Sequence, residues 1–125
     1  MAKILVVEDN PLNLRLLREV LEHRGHAVDA ATSVKEASER LGASRPDLLL
    51  VDIQIPGGGG ERLLREVRGD PSYAGLPVIA VTALAMAGDR QRLLELGFDG
   101  YFSKPIDTRA FGPAVEAYLE ESKNS

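Results

Sequence analysis

Leu48-Leu49-Leu50-Val51-Asp52 is the stretch on which the fold turns. Four apolar residues run into a carboxylate, and Ile53-Gln54-Ile55-Pro56 and the glycines Gly57 to Gly60 follow. A continuous apolar run bounded by turn residues predicts a strand buried on both faces. An acid at its last position then sits at the lip of a sheet, where open α/β folds place their ligands.

Two further runs repeat the pattern. Ile4-Leu5-Val6-Val7 predicts a strand over residues 3–8 that ends in Glu8-Asp9, and Val78-Ile79-Ala80-Val81 predicts one that ends in Thr82-Ala83. Weaker strands are expected at Ala27 to Ala31, at a sheet edge, and at Gly100 to Ser103, which leads into Lys104-Pro105. Helical spacing fills the intervals. Asn10-Pro11 opens a first helix as cap and first residue, with Leu14, Leu17, Val20 and Leu21 inward and Gly25 as its stop. Ser33 opens a second with Val34, Ala37 and Leu41 on one face, closed by Gly42. A third is expected over about Glu61 to Val67, stopped by Gly69, and a fourth over Ala87 to Leu96, stopped by Gly97. Asp107 caps a last helix carrying Phe111, Val115, Tyr118 and Leu119, with a polar end from Glu120 to Ser125 expected to fray. This strand–helix alternation with short loops predicts an α/β domain, a parallel sheet with helices on both faces.

Composition narrows the function classes. At 125 residues and 44% hydrophobic the chain is one domain with a real core. No apolar run approaches the roughly 18 residues of a membrane span. A net charge of -4 without a basic cluster argues against a nucleic-acid surface, and the absence of cysteine excludes disulfides and thiolate metal sites. A cytoplasmic setting is expected.

In a parallel sheet every strand-to-helix loop opens at the same edge. Glu8, Asp9, Asp52, Thr82 and Lys104 therefore converge on one rim. Three carboxylates so placed repel, by roughly 4 kcal/mol per pair at about 4 Å and an effective dielectric near 20. A lysine, a proton or a cation must relieve this, and an oxygen-only donor set favours a hard ion such as Mg²⁺. A lone aspartate flanked by Mg²⁺, a hydroxyl and an ammonium suits phosphoryl transfer, with the carboxylate as nucleophile. Each residue alone also reads blandly: an acid as helix cap or turn former, Thr82 as strand end, Lys104 as surface charge. The residues by themselves leave both readings open.

The set Val7-Glu8-Asp9-Asn10, Asp52 with Pro56 and Gly60 after it, Val81-Thr82-Ala83 and Ser103-Lys104-Pro105 resembles the bacterial response-regulator receiver domain. Val51-Asp52-Ile53-Gln54 and the run Val81 to Met86 are similar to DivK-type single-domain receivers and to the receivers of hybrid kinases. The resemblance implies a doubly wound, flavodoxin-like (βα)5 sheet of strand order 2-1-3-4-5. It implies that Asp52 is the phosphoacceptor, served by a phosphohistidine on a histidine kinase or phosphotransfer protein. It implies Mg²⁺ on Asp9, Asp52 and the Gln54 backbone carbonyl, with Glu8 reaching the metal through water. Thr82 and Lys104 would hold the acyl phosphate, Thr82 and Tyr101 would act as switch residues, and the Lys104-Pro105 bond would be cis. A downstream protein would bind the face of helix 4, strand 5 and helix 5, with Leu84, Met86 and Ala87 as contact residues, and neither nucleic acid nor membrane is implied.

Read as a whole chain, residues 1–121 form the receiver and 122–125 a polar tail, without an output domain. The protein is then a signalling receiver that promotes its own phosphorylation and dephosphorylation, not an enzyme with turnover. Rival readings are a receiver excised from a hybrid kinase, a Mg²⁺-dependent aspartyl-phosphate hydrolase and a flavodoxin-like nucleotide binder. The hydrolase reading expects a second acid two residues after the nucleophile, where Gln54 stands, and the nucleotide binder expects donors at a rim that is mostly acceptors. Gly57 to Gly60 depart from the family, which keeps only the last glycine, and predict a mobile loop. Gln54 and Leu84 are expected to tune the phosphoryl lifetime. His23 and His26 flank Gly25 at a helix end and read as dipole partners, not as phosphohistidines.

Overall fold

The structure, a computed structural model, describes residues 2–83 and 88–123. The expectations placed on Leu84, Met86 and Ala87 lie outside the described residues. Five parallel strands form one sheet in the order β2-β1-β3-β4-β5. They are β1 (Lys3–Val7), β2 (Ala27–Ala31), β3 (Leu48–Asp52), β4 (Val78–Thr82) and β5 (Gly100–Ser103). Helices α1 (Pro11–His23), α2 (Val34–Ala43), α3 (Gly59–Arg68), α4 (Asp89–Leu96) and α5 (Thr108–Lys123) connect or follow them. The expected doubly wound order is the observed one.

The apolar runs explain the layering. Strand β3 sits between β1 and β4 and is buried along its whole length, Asp52 included. Alternate residues of the inner strands feed two cores. Leu5, Val7, Leu49, Val51, Val78 and Ala80 pack with Ala37, Leu41, Leu63, Leu64, Val67 and Leu93 of α2, α3 and α4. Ile4, Val6, Leu48, Leu50, Ile79 and Val81 pack with Leu17, Leu21, Phe111, Val115 and Leu119 of α1 and α5. Strand β2 is the half-exposed edge that the sequence predicts.

Element ends differ from the sequence reading in five places, one of them α4, which starts at Asp89 because Gly88 (φ +96°) lies outside the helix as its cap. Strand β1 ends at Val7, although Glu8 N still donates to Ala31 O at 2.9 Å. Gly42 lies inside α2, which runs to Ala43, because the helical hydrogen bond from Ser44 N to Arg40 O (3.0 Å) closes over it. The chain end read as frayed is helical through Lys123, with Ser122 Oγ donating to Gly75 O at 3.2 Å. Helix α3 starts two glycines earlier than expected, at Gly59.

That early start explains part of the glycine run. Gly57, Gly58 and Gly59 have φ of +98°, +114° and +80°, a region costly for any residue with a Cβ. The turn is tethered, since Val34 N donates to Pro56 O and Arg62 Nη1 to Gly57 O. Gly60 N donates to Ile53 O at 2.9 Å, and a Cβ at Gly60 would lie 3.0 Å from Asp52 O. The run thus seats α3 directly against the backbone that carries Asp52. Gly60→Ala should cost about 1–3 kcal/mol by overpacking, read as a lowered urea midpoint; an unchanged midpoint would show that α3 can move aside freely.

Candidate functional site

Register brings the rim together. Val7 pairs with Val51 and Asp52 with Val81, so Glu8, Asp52 and Thr82 end neighbouring strands at one lip. Thr82 pairs with Ser103, and Lys104 N donates to Thr82 O at 2.8 Å, which carries Lys104 onto the same lip. The Lys104-Pro105 bond is cis. Glu8 is only 1% exposed, Asp52 6% and Thr82 2%, whereas Asp9 faces solvent.

Lys104 Nζ stands 2.8 Å from Asp52 Oδ2 and 2.9 Å from Glu8 Oε1. Asp52 Oδ1 accepts from Gln54 N at 2.9 Å, and Glu8 Oε2 from Asn10 N at 3.3 Å. Glu8 Oε1, fully buried, has the ammonium close by but receives no well-directed hydrogen bond. The lysine is thus one of the three means of relief that the sequence left open, and it meets Glu8 as well as Asp52, whereas the resemblance gives Lys104 to the phosphoryl group alone.

The electrostatics follow from this crowding. Burial pushes the Glu8 carboxyl up, and sharing a hydrogen bond with Asp52 pushes it further, against Lys104 and Asn10 N. Burial also pushes Asp52 up, but its bonds with Glu8, Lys104 and Gln54 N outweigh this and leave it below the usual carboxylate range. Burial works against the Lys104 ammonium, yet Asp52 and Glu8 hold it above its ordinary value.

The donor set fits a hard divalent cation. Glu8, Asp9 and Asp52 each offer one carboxylate oxygen, and the three lie within 4.8 Å of one another. All are oxygens, as Mg²⁺ prefers. The incompletely satisfied Glu8 Oε1 is the kind of buried acceptor that a cation or its water relieves.

Other predicted residues fall elsewhere. Tyr101 lies opposite Ala80, two residues before the Thr82–Ser103 pair, half-buried against the core on the α2–α3 side. His23 ends α1 as expected, but His26 is no dipole partner. Its Nδ1 accepts from Ala2 N at 3.2 Å and its Nε2 lies 2.9 Å from Glu116 Oε2, a pair spanning ninety residues that no local pattern reveals. Arg24 joins Glu116 at 2.7 Å and, together with His26, holds its carboxyl at about 2.

The family model for the response regulator receiver domain matches residues 4–116. The chain belongs to this family. The receiver is 37% identical over 119 residues to the polar-differentiation response regulator DivK of Brucella anthropi, covering 95% of this chain and 97% of that one. It superposes on a putative response regulator from Chloroflexus aurantiacus with a TM-score of 0.89 at 28% identity, covering 95% and 98% of the two chains. It is also similar to the receiver domain of the sensor histidine kinase PA1611 from Pseudomonas aeruginosa (TM-score 0.85, 29% identity, 95% and 98% covered). That structure is described as having a magnesium ion coordinated in its active-site cleft. The receiver is thus a signalling domain of two-component type, and no helix among its described residues is long and apolar enough to cross a membrane.

Proposed function

We propose that the receiver accepts a phosphoryl group on Asp52 from a phosphohistidine of a kinase or phosphotransfer protein, in the cytoplasm, and thereby switches a protein-binding face. The observation that carries this reading is one buried carboxylate held 2.8 Å from the Lys104 amine at a sheet lip that three acids share. In the transfer, an Asp52 oxygen attacks the phosphorus of the phosphoimidazole. The O–P bond forms as the P–N bond breaks, and the imidazole leaves with that electron pair and regains a proton. Lys104 holds negative charge on the transferred oxygens, and the Thr82 hydroxyl hydrogen-bonds them. Asp9, Asp52 and the Gln54 carbonyl would hold Mg²⁺, with Glu8 acting through water. When bound, this ion neutralises phosphoryl charge and aligns the donor.

The new dianion would compete for Lys104 and draw Thr82 toward it, with Tyr101 following and the face of α4, β5 and α5 changing. This is a local charge event biasing a bistable element. Moving it from 1:99 to 99:1 needs roughly 5.5 kcal/mol of differential stabilisation.

Incubation with acetyl phosphate and Mg²⁺ tests the reading. One hydroxylamine-labile phosphoryl group per chain is expected, with dependence on Mg²⁺. Continuous phosphate release over many turnovers would favour an aspartyl-phosphate hydrolase, and no uptake at all would remove the phosphoacceptor reading.

A further inference from the structure

Helix α4 is fastened unevenly. Only Leu93 of its residues is buried, whereas α3 buries Gly60, Leu63, Leu64 and Val67. Its cap is Gly88, which has no side chain to bond the first turn. Near that end one ion pair crosses to α3, from Arg92 Nη2 to Glu61 Oε1 at 2.9 Å, and the arginine side chain is 62% exposed. A solvated pair of this kind holds weakly. The other end is clasped. Gly97 closes the helix, and Phe98 behind it is buried in the core of α2, α3 and α4. Arg68, the last residue of α3, reaches across to this corner. Its Nε and Nη2 both donate to Gly97 O, at 3.3 and 3.0 Å. Nη2 also donates to Asp99 Oδ2, and Nη1 to Leu76 O, each at 2.8 Å. Asp99 is itself fixed to β4: its Oδ2 accepts from Val78 N and its own N donates to Val78 O, each at 2.8 Å. One planar guanidinium thus joins the ends of α3 and α4 to the residues that lead into β4 and β5. Carbonyls at a helix C-terminus lack partners within the helix and form its negative end, which favours a cation there. The arginine fork adds direction to that charge.

We infer that Arg68 is a positioning residue of the switch: its clasp on Gly97 and Asp99 makes the C-terminal end of α4 a pivot, about which the first turn of the helix swings. The inference rests on the reading of Asp52 as phosphoacceptor and of α4 as part of the face that changes. Glu61 follows Gly60, which is pressed against Asp52 O, so its bond to Arg92 is the tether that a change at Asp52 reaches first. Displacement grows with distance from a pivot. At about 1.5 Å per residue, Arg90 stands roughly 10 Å along the axis from Gly97 and Leu94 only roughly 4–5 Å. Both line a cavity of about 600 Å³ against β5 and α5. The swing therefore reshapes the Arg90 end of that cavity and leaves the Leu94 end nearly in place.

Arg68→Lys keeps the charge and loses the fork. Gly97 N donates to Leu94 O and Phe98 N to Leu93 O. In the unphosphorylated variant, amide exchange at these two residues should accelerate about 3- to 10-fold, the scale of one lost hydrogen bond. On phosphorylation of the unaltered protein by acetyl phosphate and Mg²⁺, NMR shift changes should fall along α4, at least twofold larger at Arg90 and Gln91 than at Leu96 and Gly97. In Arg68→Lys that gradient should flatten. A residue that merely stabilised the fold would lower the urea midpoint and leave the gradient unaltered. Asp99→Asn still offers an acceptor to Val78 N but no charge to Arg68; it should flatten the gradient too, and it carries the same test should the lysine variant fail to fold. Glu61→Gln cuts the weaker tether and should preserve both the gradient and the exchange at Gly97. An even response along α4 in the unaltered protein overturns the inference, as does an unchanged gradient or unchanged Gly97 exchange in Arg68→Lys. If the unaltered protein takes up no phosphoryl group, the phosphoacceptor reading fails, and the Gly97 exchange rate alone then decides whether Arg68 clasps α4.

Discussion

Asp52→Asn is expected to take up no labile phosphoryl group from acetyl phosphate, down to the reagent blank, while remaining folded. The amide has nearly the carboxylate's shape and can still accept from Gln54 N, which bonds Asp52 Oδ1 at 2.9 Å. What it lacks is the anionic oxygen that would attack phosphorus, and no neighbour replaces it. Glu8 is more deeply buried than Asp52, and its carboxyl is pushed up, toward the protonated, non-nucleophilic form. Asp9 is exposed and makes neither of the two contacts that Lys104 makes with Asp52 and Glu8. Uptake should therefore vanish and not migrate. Intact-mass measurement with and without hydroxylamine decides it; a labile group on Asp9 or Glu8, formed at the unaltered protein's rate, would sink the assignment of Asp52. Removing one charge from the cluster should also ease ionisation of Glu8, since Asp52 is among the causes that hold its carboxyl up.

Most of the fold was legible because its signal is local. The runs at Ile4, Leu48 and Val78 are short, continuous and bounded by turn residues, and the buried strands follow from them. Converging strand ends located the acids and Lys104 before any distance was known, since parallel order alone brings strand ends to one edge. What was not legible is nonlocal or conformational. Which of the three possible means relieves the acids, and which acids Lys104 meets, depends on how far the lysine stem reaches, and the phenol of Tyr118 over Gly100 joins positions with no periodic relation. Gly42 misled because it lacks the positive φ that ends α4 at Gly97 (φ +117°) and has no other reason to stop the chain. At Gly42 the helix simply continues. The glycines after Asp52 read as flexibility, whereas three of them meet a demand for positive φ and the fourth a demand for close approach to Asp52 O.

Lys104→Ala is expected to lose stability as well as phosphoryl uptake, and the loss should depend on pH. Lys104 is the counter-charge for two buried acids at once, at 2.8 and 2.9 Å. Removing one partner of a buried pair costs about 3–5 kcal/mol, but the lysine side chain is 21% exposed. Water screens part of that, so about 1–3 kcal/mol is expected at neutral pH. The direction follows from the acids. Asp52, held low in the folded protein, contributes stability that is present above its unfolded value near 3.8 and lost as pH falls through the folded one. Lys104 is one cause of that depression, so the variant forfeits much of the contribution at neutral pH. Glu8, held high, contributes stability below its unfolded value near 4.5 that is lost as pH rises through the raised one. Without the ammonium it rises further, which steepens the loss toward neutral pH. The deficit of the variant should therefore be largest near pH 7.5 and shrink toward pH 4.5, where Glu8 binds its proton. Mg²⁺ should return part of it, since without the competing ammonium the acids bind the ion more tightly and the variant gains more from it than the unaltered protein does. Urea midpoints at the two pH values, each with and without Mg²⁺, measure this directly; an equal deficit at both, indifferent to the ion, would mean that Lys104 acts through its apolar stem and not as the counter-charge of the site.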